Sequence, residues 1–160
     1  MSTTILLGVA LQHQGQCSTH ALAVRDAVMA LANGNSTHVH VLSVYDYGTI
    51  HTQGLPSSVA ATYREAQMQR IDVCLERKLD VYIAPFIALD MQVSKLLRVG
   101  DPRVVIVQVA ADIKADFLII GTHRKRGVCD ITPGSTERYI RKHAPCPVLL
   151  VSLRDACIPG

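Results

Sequence analysis

Residues 115–140 read ADFLIIGTHRKRGVCDITPGSTERYI. The run from Phe117 to Ile120 is apolar, of strand length, and stops at Gly121. Such a run suits a strand buried on both faces. Ser135 and Thr136 then stand where a helix can begin, because a hydroxyl caps free backbone N–H groups. Between them lies a loop with a basic cluster. Residues 121–143 hold six basic and two acidic side chains, a local charge of +4 in a chain whose total is +3. One reading is a solvated basic face, and the other is attraction to a small anion.

Working outward, the same strand-then-helix order repeats. TTILLGVA, residues 3–10, is a second continuous apolar run. STHALAVRDAVMALANG follows as a helix, with Ala21, Val24, Val28 and Leu31 on one stripe and Gly34 able to end it. THVHVLSVYD, residues 37–46, reads as a strand whose alternation sends His38 and His40 to one face. A metal pair there lacks a third ligand nearby in the sequence. A long helix is predicted from about Ser57 to Leu79 on the stripe Met68, Ile71, Leu75, Leu79. DVYIAPFIAL, residues 80–89, reads as the third strand, with Pro85 placing it at an edge or a bulge. MQVSKLLRV, residues 91–99, stays ambiguous, a second extended segment being one reading. Asp101 as a cap, Pro102 at the first helical position and Val105, Val109 and Ile113 in line predict a helix in the next stretch. CPVLLVS, residues 146–152, is the last strand. The expected fold is therefore α/β: an open, doubly wound, mostly parallel five-stranded sheet with helices on both faces. Ligands in such sheets sit beyond the carboxyl ends of the strands, where the winding reverses. Gly121 follows directly from one such end.

Composition narrows the class. At 160 residues, 49% hydrophobic and 18% charged, the chain suits one globular domain, expected over residues 1–153 with a short tail at 154–160. No apolar run is long enough for a membrane span, and the first residues lack the basic start of a signal peptide. The five cysteines are scattered and form no C-x-x-C pair, which suits reduced thiols and a cytoplasmic setting. Aromatic residues do not interleave with the Arg and Lys, so a nucleic-acid partner is not expected.

On these residues the chain resembles the universal stress proteins over nearly its whole length. GDP before a helix, ADFLIIGTHRKRG, GSTERYIRKHAPCPVLLV and the opening ILLGV carry the resemblance. The nucleotide-binding members share G-x-x-G, nine residues, then G-[ST], and here Gly121, Gly134 and Ser135 match. The resemblance implies an adenine nucleotide alpha hydrolase-like fold and a nucleotide site. Val9, Ala10 and Val44 would line it at the base. Gly121, His123, Arg124, Gly134, Ser135 and Thr136 would line it at the phosphates. It implies ATP or AMP as the ligand, Mg²⁺ accompanying ATP, and a homodimer through Val148–Val151 with an unidentified regulatory protein partner. The physical basis for the phosphate end is a helix start, whose free N–H groups and dipole favour an anion. The alternative is that Gly134 and Ser135 form only a turn and a cap.

Two positions depart from the family pattern. Arg124 replaces the second glycine of the signature, and Ala10 stands where many members carry an aspartate. A dimeric interaction or regulatory module that has lost nucleotide binding is therefore the competing reading. No carboxylate pair stands beside the loop, and neither a G-x-S-x-G elbow nor a P-loop lysine is present. His123 fits packing or ligand contact better than acid–base work, and Cys129 reads as a bystander thiol. Enzymatic activity is not expected beyond weak ATP hydrolysis.

Overall fold

The computed structural model describes residues 2–11, 19–32, 36–48, 50–122 and 135–152. β1 (Thr3–Gly8) is the middle of a five-stranded sheet that also contains β2 (Thr37–Tyr45), β3 (Gln92–Val99), β4 (Phe117–Thr122) and β5 (Val148–Ser152). The order is β3-β2-β1-β4-β5, and every neighbouring pair is parallel. Helices α1 (Thr19–Leu31), α2 (Ser57–Ala88), α3 (Pro102–Asp112) and α4 (Ser135–His143) make the crossovers.

The apolar run of β1 explains the layers. Ile5, Leu6 and Leu7 are all buried, although successive side chains leave opposite faces. Ile5, Leu7, Val39 and Val41 pack with Val24 and Val28 of α1 and Leu75, Leu79, Tyr82 and Phe86 of α2. Leu6, Leu42, Leu118 and Ile120 pack with Ile106 and Val109 of α3 and Ile140 of α4. Each face of the sheet is thus covered by two helices, as the expected doubly wound fold requires. Each fully buried Leu or Ile contributes about 1.5–3 kcal/mol relative to exposure.

The middle of the chain corrects the sequence expectation. Residues 80–89 are not the third strand. α2 continues through them to Ala88, and the third strand is the ambiguous segment at Gln92–Val99. The physical reason is periodicity: Leu75, Leu79, Tyr82, Ile83 and Phe86 are all buried on one helical stripe. Pro85 is accommodated inside the helix, within its last turn. β3 is half-exposed because it is an edge strand pairing only with β2. Lys95 and Arg98 charge that edge, as edge strands commonly require.

α2 and α3 stop in the same way. Asp90 has φ 57° and Lys114 has φ 52°. The Asp90 N–H donates to the Ile87 carbonyl and the Met91 N–H to that of Phe86, both at 3.0 Å. The Lys114 N–H donates to Ala111 at 3.2 Å and the Ala115 N–H to Ala110 at 3.0 Å. These are Schellman motifs with the left-handed position filled by residues other than glycine. α3 also begins on a side-chain cap, Asp101 Oδ1 accepting from the Arg103 N–H at 3.0 Å. No helix among the described residues is long and apolar enough to cross a membrane.

A left-handed residue with a Cβ is strained by about 1–2 kcal/mol, and glycine's extra freedom when unfolded returns part of that. Asp90→Gly and Lys114→Gly are each expected to raise stability by about 0.5–1 kcal/mol. Chemical denaturation checks this: the midpoint should rise with an unchanged slope. A lower midpoint would show that the side chains, not the backbone, dominate at these turns.

Candidate nucleotide site at the sheet switch point

β1 and β4 are neighbours in the sheet, yet β1 leads to α1 on one face and β4 leads to α4 on the other. Such a reversal opens a crevice beyond the carboxyl ends of the two strands. Gly8 ends β1 opposite Ile120 of β4. A Cβ at Gly8 would stand 3.1 Å from Ile120 Cγ2, so a glycine lets the two strands lie close at this seam.

The candidate residues separate by element. Val9 follows β1, is buried, and donates its N–H to the Leu42 carbonyl of β2 at 2.9 Å. Ala10 comes next and is exposed. Val44 is in β2, half-buried against the α3–α4 layer. Gly121 is within β4 and pairs with Val151. The fold therefore gathers Val9, Ala10, Val44 and Gly121 at the carboxyl ends of three adjacent strands. Ser135 opens α4, and Thr136 is half-buried in its first turn. Glu137 in the first turn and Arg141, Lys142 and His143 in the last all complement the helix dipole. His123, Arg124 and Gly134 lie outside the described residues, as does Cys129.

A tie that the sequence did not signal stands next to Val44. The Tyr45 and Tyr47 hydroxyls both donate to Asp72 Oδ1 of α2, each at 2.7 Å. Their rings meet edge to face with centroids 5.6 Å apart. The Gly100 N–H also donates to the Tyr45 carbonyl, at 3.0 Å. The carboxyl end of β2 is thus pinned to α2 and to the entry of α3. Burial, and then the bond to Asp72, raise the Tyr45 hydroxyl well above its ordinary value. For Tyr47 the bond to Asp72 is the main cause of a rise. Two tyrosines spaced two apart at a strand end were the available signal, but their acceptor lies more than twenty residues away.

His38 and His40 do share a face, as expected, with rings stacked at 4.1 Å. His38 Nε2 and Ser94 Oγ are 2.7 Å apart, which spends that nitrogen on a neighbouring strand. Burial, then the charge of His38, lower the pKa of His40. No group of three possible metal ligands occurs among the described residues.

Comparison with known proteins bears on this arrangement. The family model for the universal stress protein family matches residues 1–152. The chain belongs to the universal stress protein family. It is similar to a universal stress protein of Thermus aquaticus, 41% identical over 56 residues, 35% of this chain and 41% of that protein. It is also similar to a Synechocystis universal stress protein, 30% identical over 69 residues, 43% of this chain and 64% of that protein. The matched stretches thus span less than two thirds of either relative. Among solved structures, a family member from Arabidopsis thaliana with AMP bound superposes with a TM-score of 0.69 at 17% identity. That superposition covers 99% of this chain and 96% of the other and shows the shared fold.

The phenol pair yields a pH prediction. The fold favours the neutral phenols, so their contribution is complete below the ordinary value of 10.0 and is lost as pH rises through the raised values. Ultraviolet titration should show Tyr45 and Tyr47 among the tyrosines that ionise above the ordinary range. Asp72→Ala should lower both, more completely for Tyr47 because burial still raises Tyr45, and cost about 2 kcal/mol. Five tyrosines titrating together in the wild type would refute the tie.

Proposed function

We propose that this chain binds an adenine nucleotide, ATP or AMP, in the crevice between β1 and β4 and responds by altering its contacts with other proteins. The observation that carries the reading is the coincidence of the family signature with the switch point of the sheet. Gly121 is at the end of β4, and Ser135 opens the helix that follows. In this reading the base lies against Val9, Ala10 and Val44. The phosphates meet Gly121, Gly134 and the N–H groups and hydroxyls of Ser135 and Thr136, with His123 beside them. Mg²⁺ accompanies ATP. Arg124 adds a cation where phosphate charge gathers, but also fills space that a glycine leaves open. The AMP bound to the Arabidopsis relative supports the same class of ligand.

The second reading is a regulatory module without a nucleotide. It is favoured by Ala10, which cannot accept a hydrogen bond from adenine, and by the bulk of Arg124. Both readings share a cytoplasmic, single-domain homodimer. β5 supports the dimer, because it pairs only with β4 and leaves Leu149 exposed at the edge. Hydrolysis of ATP, if it accompanies binding, is weak.

Calorimetry distinguishes the readings. The expected affinity is tens to hundreds of micromolar, about −5 to −6 kcal/mol. Arg124→Gly should shift preference toward the intact nucleoside, while inorganic phosphate should favour the wild type. Ser135→Ala should abolish the rise in melting temperature caused by ATP. Equal ATP-induced shifts in mutant and wild type would reject the phosphate cradle. No binding at millimolar nucleotide by wild type or Arg124→Gly would establish the second reading. For the dimer, sedimentation should give twice the chain mass of 17.4 kDa at micromolar concentration, and Leu149→Lys should shift it to monomer. A monomeric wild type would refute it.

A further inference from the structure

The outward side of α2 forms a groove with α1, remote in sequence from the signature loop. It encloses about 1000 Å³ and runs from Ala66 to Val81 along α2, with Leu22 and Arg25 of α1 as its other wall. That stretch of helix is about 22 Å long at 1.5 Å per residue. Small-ligand pockets commonly occupy about 300–1,000 Å³.

Two chemistries meet in it. Val73 is 49% and Val81 70% exposed, and with Leu22 they give the groove an apolar strip. Arg25, Arg70, Arg77 and Lys78 frame the strip, and no carboxylate lines it among the described residues. Three of the four acids of α2 hold partners on other elements. Asp72 holds the two tyrosines, and Glu76 and Asp80 lie 3.8 and 2.5 Å from Lys95 of β3. Asp26, beside the groove on α1, is largely exposed, 4.0 Å from Arg25 Nε. Asp72, Glu76 and Asp80 are thus engaged on the β2–β3 side, while Arg70, Arg77 and Lys78 line the groove.

The cations differ in what they already hold. Lys78 Nζ donates to the Leu11 carbonyl at 3.1 Å. Arg25 lies 5.4 Å above the Tyr82 ring and donates through Nη1 to the Tyr82 carbonyl at 3.3 Å. Its Nε is buried and has no hydrogen-bond acceptor among the described residues. Arg70 and Arg77, two turns apart on one stripe, make no ion pair among the described residues. An inorganic anion would answer the guanidinium groups but leave the valines wet. A neutral apolar molecule would cover the valines but leave the charges unanswered. An anionic head on an aliphatic body answers both.

We propose that the groove between α1 and α2 binds a monomeric amphipathic anion. Its carboxylate or phosphate head sits between Arg70 and Arg77, and its aliphatic body lies over Val73, Val81 and Leu22. The four cations around the apolar strip select against a cationic head.

Titrations of the full ¹⁵N-labelled chain with dodecanoate and dodecyl phosphate, both below their micelle concentrations, test this. Amide shifts should saturate across Leu22–Arg25 and Ala66–Val81 with at least one of the anions, weaken as salt rises, and be absent with dodecyltrimethylammonium. Arg70→Glu with Arg77→Glu should weaken binding about tenfold or more. The Arg→Gln pair should weaken it less, and Val73→Asp should oppose it independently. All three positions are exposed, so melting temperatures should hold. The proposal is overturned by unsaturable shifts with both anions, an equal response to the cation, or shifts confined to the carboxyl ends of β1 and β4. Binding to anionic vesicles but to neither monomeric amphiphile overturns it, and so does a folded Arg→Glu pair that binds as tightly as wild type.

Discussion

The structure depends on burying β1 from both sides. Leu6 and Leu7 are both fully buried, yet they point to opposite layers. A strand in that position needs helices on each face, and parallel neighbours are the arrangement that short crossovers can supply. Winding outward from β1 in both directions then follows: β2 and β3 to one side, β4 and β5 to the other. The backbone groups within the sheet are consumed by pairing. The carboxyl ends of β1 and β4 stand side by side at one seam, Gly8 opposite Ile120. The candidate site is a consequence of the core rather than an addition to it.

Getting from helix to strand in phase is the next constraint. β3 must enter with Val93 and Leu97 toward the α1–α2 layer and Leu96 toward the other. The Schellman turns at Asp90 and Lys114 fix the angle at which β3 and β4 leave their helices. They also explain what was legible in the sequence. Gly34 and Gly121 punctuate their segments visibly, and β1, β2, β4 and β5 were readable from apolar runs with such boundaries. α2 is followed by Asp90 at its closing turn, and its last two turns contain Pro85 with the β-branched Val81, Ile83 and Ile87. Those features suggest a strand when read locally. The helical stripe through Phe86 decides otherwise, because burying Tyr82 and Phe86 outweighs a single lost backbone bond.

The site divides in the same manner. Gly121 could be placed at a carboxyl end from the strand pattern, while Val9, Ala10 and Val44 rested on the resemblance to the family. The Tyr45–Tyr47–Asp72 tie could not, because it links a strand end to a helix face across a loop, and side-chain pairing at that range leaves no periodic trace. Its effect is nonetheless local to the site. Val44 directly precedes a residue held through its ring, its hydroxyl and its carbonyl at once. In the proposed binding mode a wall so restrained would lose little further freedom against a flat ligand, and preorganisation of this kind favours binding.

α2 connects these regions through the placement of its charges. Asp80 stands three residues after Arg77, a spacing at which the two could pair on the helix surface for only a few tenths of a kcal/mol. Instead Asp72, Glu76 and Asp80 are committed to partners on other elements: two phenols after β2 and one ammonium on β3. Tertiary partners thus remove the intrahelical counter-charges. The groove side keeps a positive field over an apolar surface, with the low dielectric of the helix pair on one side strengthening it. Asp72, two residues after Arg70 and five before Arg77, stands off their stripe and steadies the wall beside Val44 instead.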